Sequence, residues 1–185
     1  MNKIVLGLDI SSNTIGWCAL KINEITKKII YLRSGFIKPF KSGNIVERLI
    51  QTRQEIISLI MDIKPDYIGI EDLIKFMPKS TATTVVMLTS FNRMICLVCY
   101  DYLKRSPALF NVMSIRHGLK VNKILPKKED IPELIAQHLD IKFPYIISTR
   151  GKKNIKVESY DVADGCAVAL YYSFILTGKI KGKVL

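Results

Sequence analysis

Four acidic residues stand where the sequence pattern changes from one predicted element to the next. Asp9 ends a first apolar run and Glu71 ends a later one, whereas Asp161 and Asp164 lie near the start of a long apolar segment. A spacing of three puts Asp161 and Asp164 on one face of a helix. Carboxylates gathered at one point raise each other's pKa unless cations are present. Mg²⁺ prefers such oxygen ligands and keeps waters that a phosphate can replace.

This pattern indicates metal-dependent hydrolysis of a phosphodiester. Two divalent ions, about 4 Å apart, can activate a water and stabilise the leaving oxygen without a catalytic His, Cys or Ser. Taken singly, each carboxylate also has a structural explanation. Asp9 could form a turn, Glu71 could be solvated at a strand end, and the C-terminal pair could complement a helix dipole.

Apolar patterning predicts the elements that must position these carboxylates. The chain begins with strands over 3–9, 15–22 and 29–37, followed by a helix capped by Ser42 or Asn44 and stopped by Pro65. A strand over 67–71, a long apolar helix over about 80–104 and a strand over 109–115 come next. The last part contains a helix from the charged 127–130 segment to about 139, a basic loop over 150–156, and a final helix capped by Ser159 and closed by Thr177 and Gly178. The order predicts one α/β domain spanning residues 1–185, with a basic tail over 179–185.

The expected sheet is mixed and five-stranded, with three antiparallel strands followed by two parallel ones and helices on its faces. A right-handed crossover through the first helix would set the first and fourth strands side by side and parallel. Their carboxyl ends would then bring Asp9 and Glu71 to the same edge of the sheet.

Three segments, in this order, resemble the motifs of the RuvC-like Holliday-junction resolvases. They are Leu6–Trp17, with its G-x-D-x-[GS]-x-x-x-x-G pattern, Ile68–Glu71, and Asp161–Ala169, with its D-x-A-D-[AG]-x-A-x-A pattern. Between the last two, 114–139 resembles the family's strand, basic loop and helix. Ser11 stands where many members have Gly, and 179–185 lies outside the resemblance.

The resemblance implies an RNase H-like fold, a homodimer, and symmetric nicking of branched DNA, above all of four-way junctions. It also implies dependence on Mg²⁺, with Mn²⁺ able to substitute and two ions in each active site. The metal-binding and catalytic set carried over is Asp9, Glu71, Asp161 and Asp164. Glu158, one helical turn before Asp161, is a candidate for an additional ligand.

The charge of the chain favours a polyanionic partner. Its 28 Lys and Arg exceed 16 Asp and Glu, so the formal charge is +12, and nucleic acid is the first candidate before a membrane surface. Basic residues expected to contact DNA phosphates are Arg116, His117 and Lys120 near the predicted site, and Lys152, Lys153 and Lys156 further away. Lys123, Lys127 and Lys128 continue this basic surface, and Phe76 could stack on an unpaired base. Solvated loops and ordinary packing are the alternative explanations.

The remaining patterns bear on location and assembly. Cys96 and Cys99 form a CxxC inside an apolar run, which favours buried helix residues over a zinc or redox site. With no signal-peptide pattern and no apolar run long enough to span a bilayer, we expect a protein of the reducing cytoplasm without a membrane partner. The helix over about 80–104 is apolar on most sides, so it should be central in the core or shared with a second subunit.

Other functions remain open at this point. A RuvC-like nuclease could act on flaps, forks or RNA instead of four-way junctions. An ATP-binding protein of the actin-like type would need a second domain and a second Gly-rich loop, and the sequence has neither, so no nucleotide cofactor is expected. A catalytically silent nucleic-acid-binding protein should have lost some of the four carboxylates.

Overall fold

A five-stranded sheet carries helices on both faces, and a small two-stranded sheet lies beside it. The computed structural model describes residues 1–72, 81–121, 123–147 and 153–181. The strands are β1 (Asn2–Ile10), β2 (Ile15–Asn23), β3 (Ile29–Ile37), β4 (Tyr67–Glu71), β5 (Ala108–Phe110), β6 (Tyr145–Ile147) and β7 (Lys153–Ile155). The helices are α1 (Ile45–Ile63), α2 (Ala82–Leu103), α3 (Val112–Gly118), α4 (Ile131–Leu139) and α5 (Val157–Leu176), with a 3₁₀ turn over Lys128–Asp130.

The strand order of the large sheet is β3-β2-β1-β4-β5. The first three strands pair antiparallel, and β4 and β5 are added in parallel to β1. This mixed sheet with its flanking helices confirms the predicted fold class. The predicted placement of β4 beside β1 and parallel to it is also confirmed, with α1 as the connection from β3 to β4.

Polar contacts at the start of β4 fix its register against β1. The Asp66 carboxylate accepts a hydrogen bond from the backbone N–H of Ile4 at 2.8 Å and pairs with the Lys3 ammonium at 2.8 Å. The backbone N–H of Asp66 in turn donates to the Ile4 carbonyl. With this end fixed, Leu8 pairs with Ile70, and the next residues along the two strands are Asp9 and Glu71.

Helix α1 begins and ends with specific backbone chemistry. Asn44 caps it, accepting from the N–H groups of Val46 and Glu47, while the Glu47 carboxylate accepts from the Asn44 N–H in a capping box. Asn44, rather than Ser42, is therefore the cap. Lys64 ends the helix in the left-handed conformation, and Pro65 follows, as expected for a residue that lacks an N–H.

Two apolar cores lie on opposite faces of the sheet. One joins β1 and β2 to α4 and α5, and the other joins the sheet to α1 and α2. Burial of apolar area on both faces is the main stabilising contribution, at about 25 cal/mol per Å². Because α5 contributes to the first core along most of its length, the helix that carries Asp161 and Asp164 is held firmly on the sheet.

Three local predictions were wrong. The predicted strand over 109–115 ends at Phe110, and α3 follows because the Asn111 side chain caps a helix by accepting from the Met113 N–H. Helix α5 begins at Val157, so Ser159 is a buried residue inside its first turn and not its cap. Part of the predicted basic loop forms β7, which pairs with β6.

Helix α2 also corrects a prediction. Its 22 residues are long and apolar enough, by length and composition alone, to cross a membrane, contrary to the expectation that no run would be. In the structure it packs on α1 and beside β1, with Phe91, Ile95 and Cys99 in the core. Cys99 is buried and Cys96 partly buried, and both are free thiols, in line with the interpretation of this CxxC as helix packing.

Candidate active site

The predicted carboxylates lie near one another at the carboxyl edge of β1 and β4. Asp9 and Glu71 follow the paired residues Leu8 and Ile70 on adjacent strands. Asp161 and Asp164 reach the same edge from the first half of α5, which packs across β1 and β2. All four side chains are partly buried. The structure therefore brings together the whole set that the sequence indicated.

Glycines allow α5 to approach the sheet this closely. A Cβ placed on Gly16 would lie 1.8 Å from the carbonyl oxygen of Asp161, and one on Gly165 would lie 2.7 Å from the Gly16 backbone. A Cβ on Gly7 would lie 2.3 Å from the backbone nitrogen of Ala169. Helix and strands thus touch backbone to backbone, and this contact sets the distance of the two α5 carboxylates from Asp9.

The β1–β2 turn next to Asp9 is closed by its own side chains. The Ser11 hydroxyl donates to the Thr14 carbonyl at 2.7 Å and accepts from the N–H groups of Asn13 and Thr14. The Thr14 side chain, acting as a donor, lowers the pKa of the Asp161 carboxyl. Serine at position 11 is therefore well suited to this turn, and the turn connects β1 to the acidic face of α5.

Burial and mutual repulsion perturb the acidic groups. Desolvation, then repulsion from Glu71 and Asp164, raises the pKa of Asp9 well above its usual value. Desolvation and the charge of Asp164 raise the pKa of Glu71 to about 7. Burial likewise raises the pKa of Asp164 to about 6, and it also raises the pKa of Asp161. Side chains that share one local field in this way form a single electrostatic unit.

Two cations face this acidic unit. Lys128 Nζ lies 3.7 Å from Oδ2 of Asp164, and its charge lowers the pKa of each of the four carboxylates. Arg116, half-buried on α3, acts in the same direction on Glu71 and Asp164. Arg116 was a predicted DNA contact near the site. Lys128 was considered only as part of the wider basic surface, and its position directly at the carboxylates was missed.

The donor set suits a hard divalent cation, since it consists of carboxylate oxygens. Within the parts of the chain that the structure describes, however, no group of three or more His, Cys, Asp or Glu side chains converges at metal-binding distance. Binding an ion at this edge would therefore require these side chains to move inward. All four side chains are partly exposed at this edge, so an ion can reach them from solvent.

Glu158, the candidate additional ligand, has another partner. Its carboxylate forms an ion pair with the Lys38 ammonium at 2.7 Å, and this contact lowers the pKa of Glu158. Its charge still raises the pKa of Asp161, one helical turn away. Glu158 therefore lies at the margin of the acidic unit, on the side facing β3.

The other predicted DNA contacts are placed less uniformly. His117 lines a separate cavity with Tyr171 and Ile180, and Lys120 is exposed just after α3. Lys156 is exposed at the start of α5. The backbone of Lys153 lies in β7. Phe76 and Lys152 lie outside the described residues, and their proposed roles stay predictions.

Comparison with known proteins gives one sequence relative of note. No family model matches the chain. A crossover junction endodeoxyribonuclease RuvC from Paramagnetospirillum magneticum is 31% identical over 78 residues. The matched segment covers 42% of this chain and 46% of that relative, so it spans about half of the relative's length.

Solved structures match over nearly the whole chain. T. thermophilus RuvC, in complex with a Holliday junction substrate, aligns with a TM-score of 0.73 over 96% of both chains at 14% identity. The yeast mitochondrial Holliday junction resolvase Ydc2 aligns with a TM-score of 0.62 at 13% identity, over 93% of this chain and 78% of that one. The chain thus has the fold of the RuvC-like resolvases. The resemblance first indicated by its motifs is confirmed.

Proposed function

We propose that this protein is a metal-dependent endonuclease that resolves four-way DNA junctions by paired, symmetric nicks. The observation that carries the proposal is the convergence of Asp9, Glu71, Asp161 and Asp164 at one edge of a resolvase-type fold. The structural relative from T. thermophilus was solved with a Holliday junction, which favours a branched DNA substrate here.

The four carboxylates would hold the divalent ions. When bound, Mg²⁺, or Mn²⁺ in its place, activates a water and stabilises charge on the leaving oxygen. The residues around the ions then have separate tasks. Lys128 and Arg116 face the same edge as the carboxylates, where their charges can orient a phosphate and stabilise the negative charge that develops on it. The surplus of basic residues supplies affinity for the DNA backbone without reading sequence.

A dimer would provide the second cut. Apolar side chains remain exposed along α2, with Val86 64%, Leu97 66% and Tyr100 50% exposed. Exposed apolar residues grouped on one element mark an interaction surface. A two-fold pairing through α2 would bury them and present two active sites to one symmetric junction.

The decisive experiment is cleavage of a synthetic mobile four-way junction beside a flap, a fork, linear duplex and an RNA hybrid, each with Mg²⁺ and with chelator. We expect paired cuts in the junction only with metal. Faster cutting of flaps, forks or RNA would assign the same chemistry to another substrate. Binding without any cutting would favour a silent nucleic-acid-binding protein.

Substitution of the ligands tests the site itself. Asp9→Asn and Glu71→Gln each remove one ligand charge, so cleavage should fall by at least about 100-fold, the scale of losing one transition-state-stabilising group. Junction binding should persist because it rests on Lys and Arg. Glu55→Gln on the exposed face of α1 is the matched control. Wild-type cutting by Asp9→Asn or Glu71→Gln would contradict the assignment.

A further inference from the structure

A cavity of about 360 Å³ lies beside the sheet edge that carries the four carboxylates, here called the acidic edge. It is formed between β3, the start of α5 and residues 141–144. Its volume falls within the range of ligand pockets, roughly 300–1,000 Å³. Aromatic rings of Tyr31, Phe36 and Phe143 line it, and Phe36 is 45% exposed. Lys142 and Lys156 also line it and are exposed. The cavity thus combines aromatic faces with positive charge.

The register of the sheet places this cavity close to the proposed site of cutting. Asp9 pairs with Gly16 on β2, and Gly16 pairs with Phe36 on β3. Two strand intervals separate the backbones of Asp9 and Phe36 by about 10 Å. A DNA strand advances about 3.4 Å per nucleotide in duplex form and further when it is unpaired, so the cavity lies within about three nucleotides of the acidic edge.

Hydrogen-bonding groups accompany the aromatic walls. The Tyr31 and Ser34 hydroxyls contact each other at 3.0 Å, and the Glu158 carboxylate also lines the cavity. Lys38 pairs with Glu158 and lies 5.4 Å from the centre of the Phe36 ring. This cation offsets the charge of Glu158 by pairing with its Oε1, and the carboxylate keeps lone pairs that can accept from an amino group.

We propose that this cavity binds an unpaired nucleobase of the strand being cut, with a preference for bases that carry an exocyclic amino group. The proposal rests on the proposed function and adds a subsite to it. Phe36 offers the stacking surface, Lys142 and Lys156 contact the flanking phosphates, and Glu158 accepts from the amino group of cytosine or adenine.

The test is an abasic scan of the junction. A fluorescently labelled four-way junction is prepared with a single abasic site at each position flanking the cut, and its affinity is measured by anisotropy with chelator present. In the wild type, removal of one particular base should weaken binding about tenfold, the scale of losing one stacked base. Phe36→Leu should bind the intact junction about tenfold more weakly and should no longer distinguish it from that abasic junction. Phe36→Tyr, which keeps an aromatic face, should behave as the wild type does.

Two further variants complete the design. Ile30→Ala changes another exposed residue of β3, outside the cavity lining, and should leave the abasic profile unchanged. Glu158→Gln should reduce discrimination between cytosine and thymine at the sensitive position. An abasic profile without a sensitive position, or one that Phe36→Leu leaves intact, would overturn the proposal. Because the assay requires no cutting, a junction that is cut normally but shows no such coupling contradicts the subsite alone, whereas coupling without any cutting contradicts the nuclease function alone.

Discussion

At the scale of single residues, Lys128 lowers the electrostatic cost of the acidic site. A cluster of four carboxylates is costly to assemble, and this lysine partly offsets the cost by placing one positive charge at Asp164. The same charge would lie beside a bound phosphate. Lys128 is therefore a candidate both for holding the apo site together and for stabilising the transition state.

Lys128→Met tests the contribution to the transition state and the effect of the same charge on metal binding. Removing the charge should slow single-turnover cleavage at saturating enzyme by about 100-fold, because a cation beside the phosphate is lost. Metal affinity should rise, since one positive charge no longer repels the ions, so half-maximal activity should need less Mg²⁺. Lys127→Met, at the exposed neighbouring position, should change neither quantity. Equal rates for the two variants would show that Lys128 has no part in the reaction.

The raised pKa values predict how stability depends on pH. Glu71 has a pKa of about 7 in the folded chain against 4.5 when unperturbed. Between these values the folded state keeps a proton that the unfolded state has lost, so the free energy of unfolding should fall as pH rises from about 4.5 to about 7. Divalent ions should restore it, and more strongly at about pH 8 than at about pH 5, because only the ionised carboxylates bind them.

Thermal unfolding with chelator and with Mn²⁺ across this pH range measures the effect. We expect a difference of at least about 3 °C, which corresponds to roughly 1 kcal/mol for a chain of this size. Glu71→Gln, which cannot ionise, should flatten both the pH dependence and the response to metal. A wild-type midpoint that rises steadily over this range in chelator would contradict the coupled acidic site.

The acidic residues could be predicted from the sequence, but their cationic partners could only partly be. Asp9 and Glu71 end strands, and the spacing of Asp161 and Asp164 follows helical geometry, so local pattern was sufficient. Lys128 reaches Asp164 from a short 3₁₀ turn whose position depends on the preceding connection. The apolar periodicity of the sequence does not predict that the Lys128 side chain lies beside Asp164.

At the scale of elements, the contact between α5 and the sheet positions half of the acidic set. Gly16→Ala would force a methyl group into the Asp161 carbonyl, and only movement of the helix can relieve that overlap. We expect a loss of about 1–3 kcal/mol in the free energy of unfolding, together with a large loss of cleavage although no ligand is altered. Denaturant unfolding and single-turnover cleavage measure the two effects.

Gly69→Ala is the matched control for this prediction. A Cβ on Gly69 would lie 3.0 Å or more from its nearest neighbours, which are side-chain atoms of Phe110, Tyr172 and Val168. Those side chains can shift without moving the backbone of α5. Cleavage should therefore survive in Gly69→Ala better than in Gly16→Ala, and the reverse order would contradict the role of the backbone contact.

The elements themselves were predicted where one pattern dominated. Strands β1 to β4 and helices α1, α2 and α4 follow clear apolar runs or apolar periodicity, and they lie close to the predicted ranges. The predicted helix starts were wrong where one polar side chain, and not an apolar pattern, determines where the helix begins. Asn111 starts α3 inside an apolar run that suited a strand equally well, and α5 begins before Ser159, whose burial in the core outweighs its preference for a cap.

At the scale of the whole molecule, the exposed apolar side of α2 predicts assembly. Leu97→Lys combined with Tyr100→Lys should place two like charges from each subunit at the proposed two-fold contact and weaken dimerisation at least tenfold. Sedimentation at micromolar concentration should then show monomers. Junction cutting should change from paired to single nicks, since each monomer keeps its own acidic edge.

Ile25→Lys, at a site 80% exposed in the β2–β3 turn, controls for added charge. This variant should remain dimeric and should cut both strands. A wild-type protein that sediments as a monomer, or a Leu97→Lys and Tyr100→Lys variant that stays dimeric, would place the partner surface elsewhere.

The acidic site joins two distant parts of the chain, and this has a consequence for synthesis on the ribosome. Asp9 leaves the exit tunnel early, whereas Asp161 follows it by about 150 residues. At about 5–20 residues per second, β1 and β2 are outside the tunnel for roughly 8–30 seconds before α5 can cover them. During that interval the nascent chain has at most Asp9 and Glu71 of the four site carboxylates. The apolar sheet face that α5 later covers is exposed. The proposed nuclease therefore has no complete site until its last helix docks, and the same interval is when the chain is most exposed to aggregation and to chaperones.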